Sequence, residues 1–365
     1  VKDFFPVLGV DHLELYVGNA KQAAQFYTAC FGFTNTAFRG LETGCRETTS
    51  YLLEQGDIRL VLTSALDPDH PIARHVYLHG DGVGVIALRV PDAAIAFREA
   101  TGRGARPALT PAERKDEHSA VRESAVHLYG DTVLKFVERA NVTGRCAPGF
   151  RPTAAAGSQS PGAGLLAFDH IVGNVERGSM EKWVRFLADT MGFTQLVHFD
   201  DRAISTEYSA LMSKVMQDGT GRVKFPINEP APGKRKSQVE EYLDYYRGPG
   251  VQHVALNTAD LVDTVTRLKS RGVDFLRIPT TYYDNLEARV GAIDQSADTL
   301  AELGILADRD DEGYLLQIFT QPVEDRPTLF FEIIERHGSR GFGEGNFKSL
   351  FEAIEREQAR RGNLV

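Results

Sequence analysis

Short apolar runs that read as strands, each followed by a polar break, an amphipathic stretch with helical spacing and a glycine stop, recur four times along this chain. The first unit is LGVDHLELYV followed by NAKQAAQFYTACFGF, where Asn19 suits an N-cap and Gly32 a C-terminal stop. The second is VGVIALRV with PDAAIAFREATGRGA, ending at Gly102 or Gly104. The third is LAFDHIVGNV with RGSMEKWVRFLADTMGF, ending at Gly192, and the fourth is VQHVALNT with ADLVDTVTRLKSRGV, ending at Gly272. A repeat of this length decides the fold before any local motif does.

Behind each helix come further strand-like segments separated by turn residues, such as TSYLLEQGDIRLVLTS and AVHLYGDTVLKFVER in the first half and GYLLQIFT with PTLFFEIIER in the second. Strand, helix and three strands, used in pairs, predict an α+β protein in which each half is a curved, mostly antiparallel sheet around a cavity, with helices outside. Units one and three share DH and GF, and units two and four share G-x-G-V-x-x-x-A-L, so the halves are copies of one another. Between them, APGFRPTAAAGSQSPGAG has no periodicity and reads as a linker. The expected organisation is an N-terminal domain over 1–150, a linker over 151–165, a C-terminal domain over 166–340 and a terminal helix over 341–365.

Two related halves can be compared position by position. His12 matches His170, but Val85 in the first half stands where the second has His253, and Lys135 stands where the second has Glu332. A single histidine on a strand is usually a rim or core residue, and His12 fits that description. Three ligand-type residues on three strands, two of them changed together between the halves, point to a metal site in the second half only. Lysine there would repel a divalent cation. Two imidazoles and one carboxylate form the facial triad of non-haem Fe(II) oxygenases, which leaves coordination positions open for substrate and dioxygen. His70, His75, His79, His118, His127, His198 and His337 show no such pattern and are assigned to surface or core.

Composition narrows the partners. The 365 residues suit two domains, and 42% hydrophobic with 25% charged residues suits a globular protein. A net charge of -9 without a basic run argues against nucleic acid. The three cysteines lack metal-ligand spacing, which suits a reducing compartment. No stretch of 18 apolar residues and no signal-like start is present, so the expectation is cytoplasmic, with no membrane partner, and the sequon at Asn141 is discounted. GDGVGV has fingerprint-like glycines but precedes a strand, and DRDDEG lacks the terminal Glu of a calcium loop, so it reads as a hairpin turn.

Alternation along strands groups His170 with Phe168 and Val172, Glu332 with Phe330, and Phe319 with Gln317, which predicts an aromatic and amide-lined pocket. Phe347, Leu350, Phe351 and Ile354 form an apolar helical stripe behind Gly341, Gly343 and Gly345, a terminal helix able to close the cavity mouth.

The segments DHIVGNV, KFPINEPAPGKRKSQ, GVQHVALNT, GYLLQIFT and GFGEGNFKSLFEAIEREQ closely resemble the 4-hydroxyphenylpyruvate dioxygenase family, and NAKQAAQFY and RGLETGCRET extend the likeness into the first half. The resemblance implies the vicinal oxygen chelate fold, one Fe(II) per chain at His170, His253 and Glu332, and a homodimer. It also implies that the 2-oxo acid substrate 4-hydroxyphenylpyruvate reacts with dioxygen by decarboxylation, ring hydroxylation and side-chain migration to homogentisate. Ser213, Asn228, Gln238, Gln252 and Gln317 would orient the substrate, and Phe319, Phe330, Phe342 and Phe347 would clamp its ring. A regular strand would point Gln252 away from His253, so both face inward only if the strand is irregular after GPG. The rivals are hydroxymandelate synthase, which oxidises the benzylic carbon of the same substrate and which Asn228 and Phe319 disfavour, and a non-catalytic binding protein of the same fold, which would need no open metal site.

Overall fold

The computed structural model describes residues 3–117, 119–139, 147–156, 162–199 and 210–363. The repeat appears as four modules of strand, helix and three strands. The first is β1 (Gly9–Tyr16), α1 (Ala20–Phe31), β2 (Thr34–Arg39), β3 (Thr48–Gln55) and β4 (Ile58–Ala65). After a connecting helix, α2 (Pro71–His79), come β5 (Gly82–Arg89), α3 (Ala93–Gly102), β6 (Pro107–Lys115), β7 (Ala120–His127) and β8 (Val133–Arg139). A two-residue strand, β9 (Arg151–Pro152), precedes the third module: β10 (Leu165–Asn174), α4 (Met180–Met191), β11 (Thr194–Phe199), β12 (Ala210–Gln217) and β13 (Lys224–Ala231). Helix α5 (Gln238–Tyr246) leads into β14 (Gly250–Thr258) and α6 (Leu261–Ser270). Two short helices, α7 (Leu286–Val290) and α8 (Ala297–Leu303), then precede β15 (Leu306–Arg309), β16 (Tyr314–Phe319) and β17 (Phe330–His337), and α9 (Phe347–Arg360) follows.

The helix signals act where the sequence places them. Asn19 Oδ1 accepts from the Gln22 amide at 3.1 Å, and Gly32 and Gly192 end α1 and α4 at φ of 75° and 68°, where a side chain would be strained. Helix α5 was not anticipated, although its capping box, Ser237 with Glu240, is legible in SQVE.

One sheet runs β6-β7-β8-β5-β1-β4-β3-β2-β9 and the other β11-β12-β13-β10-β14-β17-β16-β15. The residues taken as linker are paired at both ends. Arg151 and Pro152 pair with β2, and the amides of Ala163, Gly164 and Leu165 all donate to Gln55 Oε1, at 2.6, 3.2 and 3.2 Å. A polar side chain at the end of a strand can therefore order a segment that carries no periodicity of its own. The halves also share a core, since Phe331 of β17 packs on Tyr27 and Phe31 of α1 at ring separations of 5.9 and 5.1 Å.

Glu138–Arg139 near the end of β8 and Glu335–Arg336 near the end of β17 are equivalent pairs, and their glutamates share a structural role. Glu138 accepts from the first amide of α3 and Glu335 from the first amide of α6, at 3.0 and 2.7 Å, each capping the helix that follows the neighbouring strand. The arginines that follow them act at the sites described next. No helix of the described residues is long and apolar enough to cross a membrane.

Candidate metal centre

Register irregularities aim the side chains in the second half. In the β10–β14 pairing, Phe168 faces Leu256 and His170 faces Ala255, leaving Asp169 as an extra residue; Val172 faces His253 and Gly173 faces Val251, leaving Gln252 extra. A bulge of this kind turns a side chain that strict alternation would send to the other face. Gln252 and His253 therefore both line one cavity, and Gln252 Oε1 lies 3.0 Å from His253 Nδ1. The first half carries the same irregularities at Asp11 and Gly84, so the backbone device does not depend on the ligand residues placed on it.

His170, His253 and Glu332 each present one ligand atom, all within 4.8 Å of one another. His170 Nε2 is 3.1 Å and His253 Nε2 3.6 Å from Glu332 Oε2. The other nitrogen of each ring is engaged. His170 Nδ1 donates to Asp169 at 2.7 Å, which leaves Nε2 for the centre, and Asp169 in turn accepts from Arg336 Nε and Nη2 at 2.7 and 2.8 Å. Asp11, His12 and Arg139 repeat this arrangement in the first half.

Burial would raise the Glu332 pKa, but the two imidazoles outweigh it and hold the carboxyl at about 2, ionised throughout the neutral range. Burial lowers His253, which favours the unprotonated ring that a metal needs. Burial acts on His170 in the same direction, but Glu332 and Asp169 overcome it and raise its pKa. A cation seated between these groups would take over the role of that proton. The set is chemically suited to a divalent metal of the Fe(II) type: two neutral nitrogens, one carboxylate oxygen and room for further ligands.

The cavity measures about 80 Å³. Val172, Ser213, Asn228, Gln238, Gln252, Phe319, Phe330, Phe342 and Phe347 line it together with the three ligand candidates. Phe330 stacks on His253 at 4.7 Å and Phe342 meets His170 edge-on at 5.1 Å, so the apolar wall also restrains both imidazoles. Two of the expected residues stand off this wall. Phe168 lines a different cavity, beside Arg222 and Lys224, because the bulge at Asp169 takes it out of phase with His170. Gln317 shares the face of Phe319 but stands opposite Ile334, one pair further along; it is fully buried under the Gly343 turn and is not on the cavity wall.

Sequence reasoning missed the roles of Asp169 and Arg336, although DH at 11–12 and 169–170 and ER at 138–139 and 335–336 stand at equivalent positions of the two halves and could have suggested a paired role. The Asp310 hairpin, set aside as a calcium loop, has a task of its own: its carboxylate accepts from Ser339 Oγ at 2.6 Å and from the Gly341 amide at 2.8 Å, anchoring the segment before α9. Leu350 and Phe351 of α9 close the cavity, and Arg361 donates to Glu241 of α5 at 2.8 Å. Among the other histidines, His70 caps α2, His75 and His79 are buried against Tyr246, and His337 stacks on Tyr314. His118, Asn141 and Cys146 lie outside the described residues.

Comparison with known proteins adds independent findings. The profile of the glyoxalase/bleomycin resistance protein/dioxygenase superfamily matches residues 9–126 and 167–318. The chain is 47% identical to a 4-hydroxyphenylpyruvate dioxygenase of Dictyostelium discoideum, over 98% of this chain and 100% of that protein. It is 44% identical to the 4-hydroxyphenylpyruvate dioxygenase of Yarrowia lipolytica, over 98% of this chain and 93% of that one. A solved triple mutant of 4-hydroxymandelate synthase from Streptomyces coelicolor superposes with a TM-score of 0.87 at 33% identity, covering 97% of this chain and 99% of its own.

Proposed function

We infer that this chain, which belongs to the 4-hydroxyphenylpyruvate dioxygenase family of the glyoxalase/bleomycin resistance protein/dioxygenase superfamily, converts 4-hydroxyphenylpyruvate and dioxygen to homogentisate and carbon dioxide, a step of tyrosine and phenylalanine breakdown. One observation carries the reading: two oriented imidazoles and a carboxylate meet at one end of an aromatic cavity with amide and hydroxyl groups along its side. His170, His253 and Glu332 would hold one Fe(II). When bound, that ion supplies a seat for the substrate's own 2-oxo acid and the electrons that activate dioxygen, so no second oxo acid is needed.

The remaining work belongs to the chain. Phe319 and Phe330 present the ring of the substrate to the centre, with Val172 as the opposing apolar wall. Ser213 and Asn228, paired across β12 and β13, and Gln238 at the start of α5 offer hydrogen bonds that fix the direction of the substrate. Gln252 acts on His253 through Nδ1 as well as facing the cavity. The amide of Gln317 has no hydrogen-bond partner among the described residues, which suits a group that meets substrate once the Gly343 turn shifts. Leu350 and Phe351 of α9, with Phe342 and Phe347, cover the cavity, so α9 lifts to admit the arylpyruvate and closes to exclude water.

The test is incubation of the Fe(II)-loaded protein with 4-hydroxyphenylpyruvate under air and identification of the product by chromatography and mass. Homogentisate is expected. Hydroxymandelate, the product of the enzyme whose fold superposes here, would instead select benzylic oxidation. Unchanged, bound substrate would refute both. A cytoplasmic homodimer belongs to the same reading and is tested by cell fractionation and sedimentation.

A further inference from the structure

We propose that the cavity of the first half is a binding site for a small organic monocarboxylate. It measures about 110 Å³ and occupies in the first sheet the place of the metal-centre cavity in the second, since His12, Lys135 and Arg139 on its wall are the counterparts of His170, Glu332 and Arg336.

Among the described residues its charges are unbalanced by one, and five cations line it: Arg39, Arg59, Arg114, Lys135 and Arg139. Arg139 is held by Asp11 at 2.6 Å, Arg59 by Glu54 at 3.0 Å and Arg114 by Glu123 at 2.5 Å, while Lys135 stands 3.7 Å from both Glu14 and Glu123. These four carboxylates answer four cations and leave Arg39, which feels Glu14 only as a charge already shared with Lys135. The Arg39 Nη2 donates to the Thr48 hydroxyl at 3.1 Å, and its buried Nε has no acceptor among the described residues. A buried guanidinium N–H without an acceptor is costly, and a carboxylate is the partner that matches its fork. In a chain of net charge -9, a surplus positive charge inside a cavity runs against the average.

The same wall decides against other ligands. A dianion would press a second negative charge on Glu14 and Glu123, and a divalent cation would meet Lys135 and Arg39. Leu52, Val61 and Phe150 supply an apolar side, with the Arg39 guanidinium 5.5 Å from the Phe150 ring centre, so the ligand carries an apolar body beside its one charge.

The experiment uses phenylacetate with the iron-loaded protein, by crystallography and by calorimetric titration of wild type, Arg39→Gln and Arg39→Lys. Density for one phenylacetate between Arg39 and Phe150 is expected. Arg39→Gln should weaken that binding event about tenfold, Arg39→Lys should largely keep it, and turnover at the metal centre should be the same in all three. Density confined to the metal-centre cavity, an affinity unchanged in Arg39→Gln, or an equal loss in both variants would overturn the proposal.

Discussion

The duplicated Asp–His–Arg arrangement supplies a matched pair of perturbations, Asp169→Asn and Asp11→Asn. Asp169 is 7% exposed and accepts three hydrogen bonds, from His170 Nδ1 at 2.7 Å and from Arg336 at 2.7 and 2.8 Å. Asparagine keeps the shape but offers one acceptor oxygen to three donors and leaves the buried guanidinium without its counter-charge. Removing one partner of a buried ion pair costs about 3–5 kcal/mol. Asp11 is 1% exposed and makes the same contacts with His12 and Arg139, so its substitution should destabilise the metal-free protein by a similar amount in urea unfolding. The variants should part company in metal affinity. Loss of a group that orients a ligating imidazole typically weakens binding about 10–100-fold, about 1.4–2.7 kcal/mol, and only His170 belongs to the metal centre. Competition with a chelator, monitored for Fe(II) release, measures this. Equal iron affinities in the two variants would refute the argument that Asp169 works through His170.

Further outcomes follow from the same geometry. Glu332→Gln should lower iron retention and turnover, read by metal analysis after gel filtration, and a fully active variant with normal iron would remove Glu332 from the ligand set. Gln252→Gly should keep the bulge, because Gly84 holds that place in the first half, yet weaken Fe(II) about tenfold by freeing His253 Nδ1; unchanged chelator competition would contradict it. The double change Val85→His with Lys135→Glu should raise bound iron from one to two per chain, since Asp11 already orients His12; one iron per chain would count against the comparison of the halves. Burial, with Asp81 and Asp325 nearby, raises Glu324 to about 8 from 4.5. The folded state therefore holds a proton that the unfolded chain releases, and stability present below pH 4.5 is lost as pH rises towards 8. Urea midpoints of wild type should fall relative to Glu324→Gln across that window, and parallel curves would oppose the assignment.

Most of the architecture and the three ligand candidates were legible in the chain because they rest on local properties: strand and helix periodicity, caps, glycine stops and residue type at equivalent repeat positions. His253 against Val85 and Glu332 against Lys135 needed only the comparison of two copies. Side-chain direction was not legible. Whether Gln252 faces His253, or Phe168 leaves the cavity, depends on bulges, and a bulge exists only in the register between two strands, here β10 and β14. The charges that orient His170 also come from afar, for Asp169 and Arg336 are 167 positions apart and meet only once the sheet has formed. Burial of Gln317 beneath Gly343 and the unanswered guanidinium of Arg39 are of the same kind. The sequence alone determined which groups could do the chemistry; the tertiary structure decided which of them face one another, because pairing register and ion pairing are properties of two segments and never of one.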